Sequence, residues 1–187
     1  MKFNSATNIK DALNTFYKKN DFGVGGGANK KTAKIKIGRW NFIIPNTQGR
    51  KRALIFHDIH HIVAEYNVNF RGETHISGWE IGSNCKGYIT ALFLNLMAFA
   101  VGLFIHPKGV YTSFVRGRHS QNLYHNIIEK DKLLTMSIKE IQTLLRLELP
   151  YKRTTLDVFF FVIWIFIALT VLSIPFWLIL TIIMFIQ

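Results

Sequence analysis

The chain closes on a stretch that few folds can accommodate: from Val158 to Ile186, 29 residues carry no charge, Phe159-Phe160-Phe161 and Ile182-Ile183-Met184 among them. Apolar runs of about 18 residues or more read as membrane-inserted. A buried core helix is the competing reading, but 187 residues make about one domain and leave little to wrap around such a helix. As one helix the run would be about 43 Å long, against a hydrocarbon layer of about 30 Å. Pro175 therefore allows two solutions, a kinked and tilted single anchor or a short hairpin dipping into one leaflet. The single anchor is the simpler.

Charge divides the chain at the same place. All 23 Lys and Arg lie at or before Arg153, with ten of the eleven acids, so residues 1–153 carry +13 and the remainder −1. Lys152 and Arg153 stand just ahead of the apolar run, which by the positive-inside tendency puts the basic domain on the cytoplasmic side of a membrane. The first forty residues contain no apolar signal-peptide core, so export by that route is not expected. Cys85 is the only cysteine and cannot form an internal disulfide, in keeping with a reducing compartment.

The composition suggests three regions: a flexible basic N-terminal segment over 1–37, a helical domain over 38–153 and a transmembrane anchor over 154–187. The glycines at Gly23 and Gly25-Gly26-Gly27, near Lys30-Lys31-Thr32, lack the Gly-Lys-Thr order of a phosphate loop. Between Lys30 and Arg52 there are eight basic residues and no acid. Trp40, Phe42 and the turn-like Pro45-Asn46 interrupt them. Such a segment suits an anionic membrane surface, each cation contributing on the order of 1 kcal/mol. Because the membrane already accounts for a basic flank, nucleic acid is not an expected partner.

Helical periodicity covers 51–66, where Leu54, His57, His61 and Ala64 form one stripe and Ile55, Ile59 and Ile62 its neighbour. A second helix is expected over Thr74–Ile81, after the Arg71-Gly72 turn. Tyr88–Ile105 could span a bilayer by length. A crossing there would leave strongly basic segments on both sides, so a buried or membrane-resting helix is preferred. Residues 119–149 read as helical through Leu123, Ile127, Leu134, Ile138, Ile141 and Leu145, limited by Pro150. The expected class is all-α, a helical metal-binding domain with a C-terminal membrane-inserted helix or short hairpin.

Metal-ligating chemistry is concentrated at His57-Asp58-Ile59-His60-His61, followed after eleven residues by Glu73. His57 and His61 are four apart and share a helical face, so both imidazoles can point at one ion. Asp58 can reach that ion from the side or hold a ligand, and Glu73 can arrive from beyond the turn. Zinc accepts such a set, and iron fits the same donors. His60 is a surface or stacked histidine, or a neighbouring acid or base for catalysis. Glu65, one turn after His61, either orients it or lies on a solvated face. Glu80, seven after Glu73, either supports the ligands or serves as a helix cap or salt-bridge partner.

Three known patterns fit less well. The spacing His57-x-x-His60-His61 matches one box of membrane diiron desaturases, but the chain has only seven histidines and no second box. His57-Asp58 resembles the core of HD-type phosphohydrolases, for which His119 or His125 with Asp131 would have to complete the site. The zincin pattern fails at Asp58, a carboxylate one methylene shorter than the usual glutamate base.

The arrangement His57-Asp58-x-x-His61, eleven residues, Glu73 resembles the signature of the Coq4 family of ubiquinone-biosynthesis proteins. Asn46-Thr47, Arg50-Lys51-Arg52, Gly72, Trp79-Glu80 and Gly82 extend the resemblance over residues 40–106. It implies an all-helical membrane-associated protein whose metal, held by His57, Asp58, His61 and Glu73, handles the head group of an isoprenoid quinone precursor. Removal of a ring carboxylate coupled to hydroxylation, and contact with other quinone-biosynthesis enzymes, are the implied activities. His60 has no place in that signature. The C-terminal membrane helix and Ala64-Glu65 depart from the family pattern. Two other classes remain open, a nonenzymatic membrane scaffold or lipid-binding module with a structural metal, and a metal-dependent hydrolase.

Overall fold

The computed structural model describes residues 2–37, 40–85, 87–125 and 128–186. Gly38 and Arg39 of the basic segment, and Ile127 of the periodic set, lie outside the described residues. Among those described, the framework is all-α: eight helices and one two-stranded sheet. In chain order these are α1 (Ile9–Lys19), β1 (Thr32–Ile37), β2 (Trp40–Pro45), α2 (Gln48–Val63), α3 (Phe70–Gly82) and α4 (Ile89–Ile105). After them come α5 (Pro107–Arg118), α6 (Lys130–Thr135), α7 (Ile138–Leu144) and α8 (Thr155–Ile186).

The expectation of a flexible segment over 1–37 does not hold. Ile9, Ala12, Leu13 and Phe16 follow the i, i+3, i+4, i+7 pattern and are all buried, with α1 packed on α2 and α6 in a core shared with Ile138 and Ile141 of α7. Asn8 starts α1 by accepting the Asp11 N–H at 2.9 Å. The helix is otherwise polar, so a four-residue stripe escaped a reading based on composition. The basic segment after it forms the β1–β2 hairpin, paired from Thr32↔Pro45 to Ile37↔Trp40, which the basic composition did not announce.

One core forms where α1, α2, α3 and α7 meet around Ile59, Ile76, Trp79 and Ile141. In a second, α3, α4, α5 and α8 surround Phe99, Phe114 and Val115. Helices α3 and α5 approach closely through glycine. A Cβ on Gly82 would lie 2.2 Å from the Phe114 carbonyl oxygen, and one on Gly117 2.2 Å from that of Trp79. Only hydrogen fits at either contact.

Helix α2 starts three residues before its expected limit and ends three residues short of it, and α3 extends beyond both of its expected limits. Over 119–149 the expected helix is broken: α6 and α7 form, but 119–125 turns back on itself. There Asn122 accepts the Tyr124 N–H at 3.0 Å and donates to the Ser83 carbonyl at 3.0 Å. Local side-chain bonding of this kind competes with helix.

Helix α8 runs unbroken through Pro175, a single helix and not a hairpin. Its Thr155–Pro175 stretch is long and apolar enough to cross a membrane, and almost none of it is buried.

Candidate metal centre

The helix α2 is fixed at both ends before it presents its histidines. Thr47 accepts the Arg50 N–H at 3.2 Å at its start. At its end, Glu65 takes the left-handed conformation (φ 63). The helix-end carbonyls of Val63 and Ala64 accept from Gln142 at 2.9 Å and Arg116 at 2.8 Å. Helix α3 begins on Asn69, which accepts the Gly72 N–H at 2.8 Å. A Cβ on Gly72 would lie 1.8 Å from the Asn67 carbonyl oxygen, so glycine lets the connection fold tightly and sets Glu73 in the first turn of α3.

This geometry brings His57, His61 and Glu73 together, with one donor atom of each within 4.8 Å of the others, a group that could hold a metal ion. The two Nε2 atoms are 3.2 Å apart. Glu73 places Oε2 3.5 Å from His57 Nε2 and Oε1 3.2 Å from His61 Nε2. His61 is buried, while His57 and Glu73 are partly open.

The partners on the far side of each ring set its protonation pattern. His57 Nδ1 lies 2.9 Å from Glu80 Oε1, and His61 Nδ1 lies 3.1 Å from the Tyr66 carbonyl oxygen. Both partners only accept, so each Nδ1 carries its hydrogen and donates it. Each neutral ring then turns a bare Nε2 lone pair toward the other and toward the Glu73 carboxylate. Three acceptors converge on a space that requires a cation, whether proton or metal. Without a metal, burial opposes a charge on His57, but Glu80 and Glu73 outweigh it and raise its pKa well above the usual value. Burial also works against the Glu73 charge, yet His61 and His57 hold its pKa down at about 2.

Glu80 is fully buried and satisfied on every side. Its Oε1 accepts from His57 and, at 2.7 Å, from His60; its Oε2 accepts from Asn95 at 2.6 Å and from the Tyr124 hydroxyl at 3.0 Å. Burial works against this charge as well, and the histidines overcome it, holding Glu80 well below the carboxylate range. Of the roles open to Glu80 from sequence, the structure shows pairing with His57 and His60 and no helix capping. The available signal was its place two turns after Glu73, on the same face of α3.

Other expected residues lie elsewhere. Asp58 is outside the three-donor group, because neighbouring helical residues diverge by about 100°. Its Oδ2 lies where a Cβ on Gly26 would be 2.9 Å away, beside Tyr17, and has no hydrogen-bond partner. Burial raises the Asp58 pKa to about 6 although His57 and His61 pull the other way. The glycine turn over Asp58 is held by Asn46, whose side chain donates to the carbonyls of Gly27, Ala28 and Lys30 and accepts from Arg50 at 2.8 Å. Sequence reasoning missed Tyr17, Gly26, Asn95 and Tyr124.

His60 does not face the cluster, so the expected role as a catalytic acid or base is corrected. It is fully buried, donates from Nδ1 to Glu80 and accepts the Leu123 N–H at Nε2, 2.9 Å away. Both nitrogens are used in joining α2 to α3 and to the 119–125 turn. Glu65 does not orient His61, since the Tyr66 carbonyl does. His119 binds Asp157 at 3.1 Å and stacks on Tyr151, His125 binds the Asn84 carbonyl, and Asp131 is exposed on α6. None of these three is brought to the cluster.

A cavity of ≈ 360 Å³ lies between α1, α2 and α6, with Lys10, Lys51 and Lys130 beside Leu13, Leu54 and Tyr17. Another of ≈ 390 Å³ lies by Arg52 and Tyr88. Neither is lined by His57, His61 or Glu73. No protein-family model matches the chain, and no curated protein or solved structure is significantly similar to it.

Proposed function

We propose that the chain is a membrane-anchored protein that holds a divalent metal on His57, His61 and Glu73 and binds or acts on the head group of an isoprenoid quinone precursor. The observation that carries the metal is the pair of Nε2 lone pairs 3.2 Å apart, with both Nδ1 hydrogens committed outward. Glu73 meets the two imidazoles with different oxygens, Oε2 at 3.5 Å from His57 and Oε1 at 3.2 Å from His61, and zinc accepts such a His and carboxylate set. Iron accepts the same donors.

Each protein group has a stated task. Glu80 and the Tyr66 carbonyl hold the imidazoles in one tautomer and one orientation, and Glu80 makes His57 more basic. Glu73 offsets the charge of the ion. When bound, a divalent ion supplies Lewis acidity toward an oxygen of the ring head group. The cavity between α1, α2 and α6 offers three lysines to an anionic group and aliphatic walls to a lipid. Tyr17 lines the cavity and lies beside Asp58, the chain neighbour of His57 and not itself a member of the cluster. The substrate class rests on the resemblance of His57-Asp58-x-x-His61…Glu73 to the Coq4 signature.

A second reading, a nonenzymatic lipid-binding module with a structural metal, is favoured by the separation of the cavity from the three ligands. Metal analysis and lipid mass spectrometry on detergent-purified protein distinguish the readings. Metal near one equivalent, lost in a folded His57→Ala/His61→Ala variant, is the expected result. Equal metal in the variant refutes the site. A co-purifying prenylated aromatic supports the quinone-precursor reading, whereas phospholipid alone favours the structural module.

A further inference from the structure

The stretch of α8 able to cross a membrane, Thr155–Pro175, is also the stretch that packs on the domain. Phe161, Trp164, Ala168 and Leu172, one face at helical spacing, join the core that contains Leu96, Phe99 and Ala100 of α4. Phe161 meets Phe99 at 5.6 Å and Phe114 at 5.3 Å between ring centroids. The start of α8 is fixed to α5 by a buried Asp157, which accepts from Arg118 at 2.7 Å and from the Thr154 N–H at 2.8 Å. Membrane entry by α8 therefore brings α4 with it.

Helix α4 has no charged side chain, and its outward residues are apolar. Ile89 is 82% exposed, Phe93 51% and Phe104 73%. At 100° per residue these three, with the half-buried Met97 between them, fall within about 80° of arc. The opposite face packs on α3 through Asn95, which donates to Glu80, and through Gly102, where a Cβ would lie 2.7 Å from the Thr74 side chain. A stripe of large apolar side chains continuous with a membrane helix is matched by acyl chains, and water gives it no compensation.

We infer that α4 is a second membrane-embedded helix, entering one side of the bilayer beside α8, with Ile89, Phe93, Met97 and Phe104 against lipid acyl chains. It does not cross, because its inner face carries the core of the domain and its 17 residues span only about 25 Å. The inference rests on the membrane reading of α8 and is independent of the metal. It also sets the cluster's distance from lipid. Asn95, on the inner face of α4, donates to Glu80, so a single helix about 10 Å across separates the ligand-supporting carboxylate from the acyl chains.

The test uses the full chain in phosphatidylcholine–phosphatidylglycerol vesicles, with a nitroxide on Phe93→Cys, Phe104→Cys, Phe166→Cys or Lys132→Cys. Cys85 can stay, because burial, with the Glu80 charge, pushes its thiol up to about 12 and leaves it unreactive. Collision rates with oxygen and with a water-soluble nickel complex are measured at each site. The expected result is an oxygen-to-nickel ratio at positions 93 and 104 that equals that at 166 and is severalfold above that at 132. A lipid-like ratio at 166 with a water-like ratio at 93 and 104 overturns the embedding of α4 and leaves the α8 anchor intact. Low collision with both reagents at 93 and 104 means protein covers the stripe, which also overturns it. Water-like ratios at all sites reject the α8 reading together with the inference.

Discussion

Asp58→Asn should stabilise the metal-free protein, because the aspartate is a buried charge whose Oδ2 has no hydrogen-bond partner. Burial raises its pKa from about 3.9 in an unfolded chain to about 6 in the fold, against the pull of His57 and His61. Since the folded value lies above the unfolded one, the folded state binds the extra proton. Stability is lost as pH rises from about 4 to about 6, and the full cost of about 3 kcal/mol applies above that. An asparagine removes the charge but brings an amide that needs its own partner, which returns about 1 kcal/mol. The net gain near pH 7 is about 2 kcal/mol, or about 4–8 °C in Tm for a chain of this size. Thermal unfolding of the chelated protein in detergent, at pH 4 and pH 7, measures it. A loss of Tm at pH 7, or an equal gain at both pH values, would refute the assignment of cost to a desolvated carboxylate. A metal-loaded variant with less metal than wild type would show that Asp58 supports the site at the expense of stability.

Glu80→Ala should fail to fold: it orphans the buried donors of His60, Asn95 and Tyr124 at about 1–3 kcal/mol each, together with the partly open His57, against a total stability of about 5–15 kcal/mol. Glu80→Gln keeps the shape and should remain folded by circular dichroism while binding zinc about 10–100-fold more weakly in a competition titration. Gly82→Ala would press a Cβ against the Phe114 carbonyl, a backbone atom that cannot give way. It should cost about 1–3 kcal/mol, seen as a lower Tm. The metal-free protein should lose stability as pH rises above about 7. The folded pKa of His57 lies above its unfolded value of about 6.5, so its contribution is complete below that value and is lost as pH passes through the folded one. A flat Tm between about pH 6 and 9 after chelation would contradict the paired His57.

What the sequence disclosed was what one helix can disclose. The four-residue spacing of His57 and His61 already places both rings on one side of α2, and the uncharged run already marks a membrane-inserted element, although Pro175 left a hairpin open beside the single helix, so both were legible locally. The core stripe of α1 is equally local, but four apolar residues among lysines and asparagines left the composition polar. The hairpin from Thr32 to Pro45 forms in a segment whose charge, not its alternation, dominated the reading. Glu80 shows where local reading must stop. Helical arithmetic puts it on the same face of α3 as Glu73, yet a buried carboxylate survives only if donors surround it, and those come from Asn95, Tyr124 and two residues of α2. That arithmetic also puts His60 about 100° from His61 and about 60° from His57 on the side away from His61, dividing the pentapeptide's imidazoles between cluster and core. Glu80 Oε1 accepts from one histidine of each kind, so the residue that fixes the ring facing the proposed metal also fastens α2 into the fold. Loss of ligand geometry and loss of stability should therefore appear together at this position, whereas at Asp58 they should oppose each other.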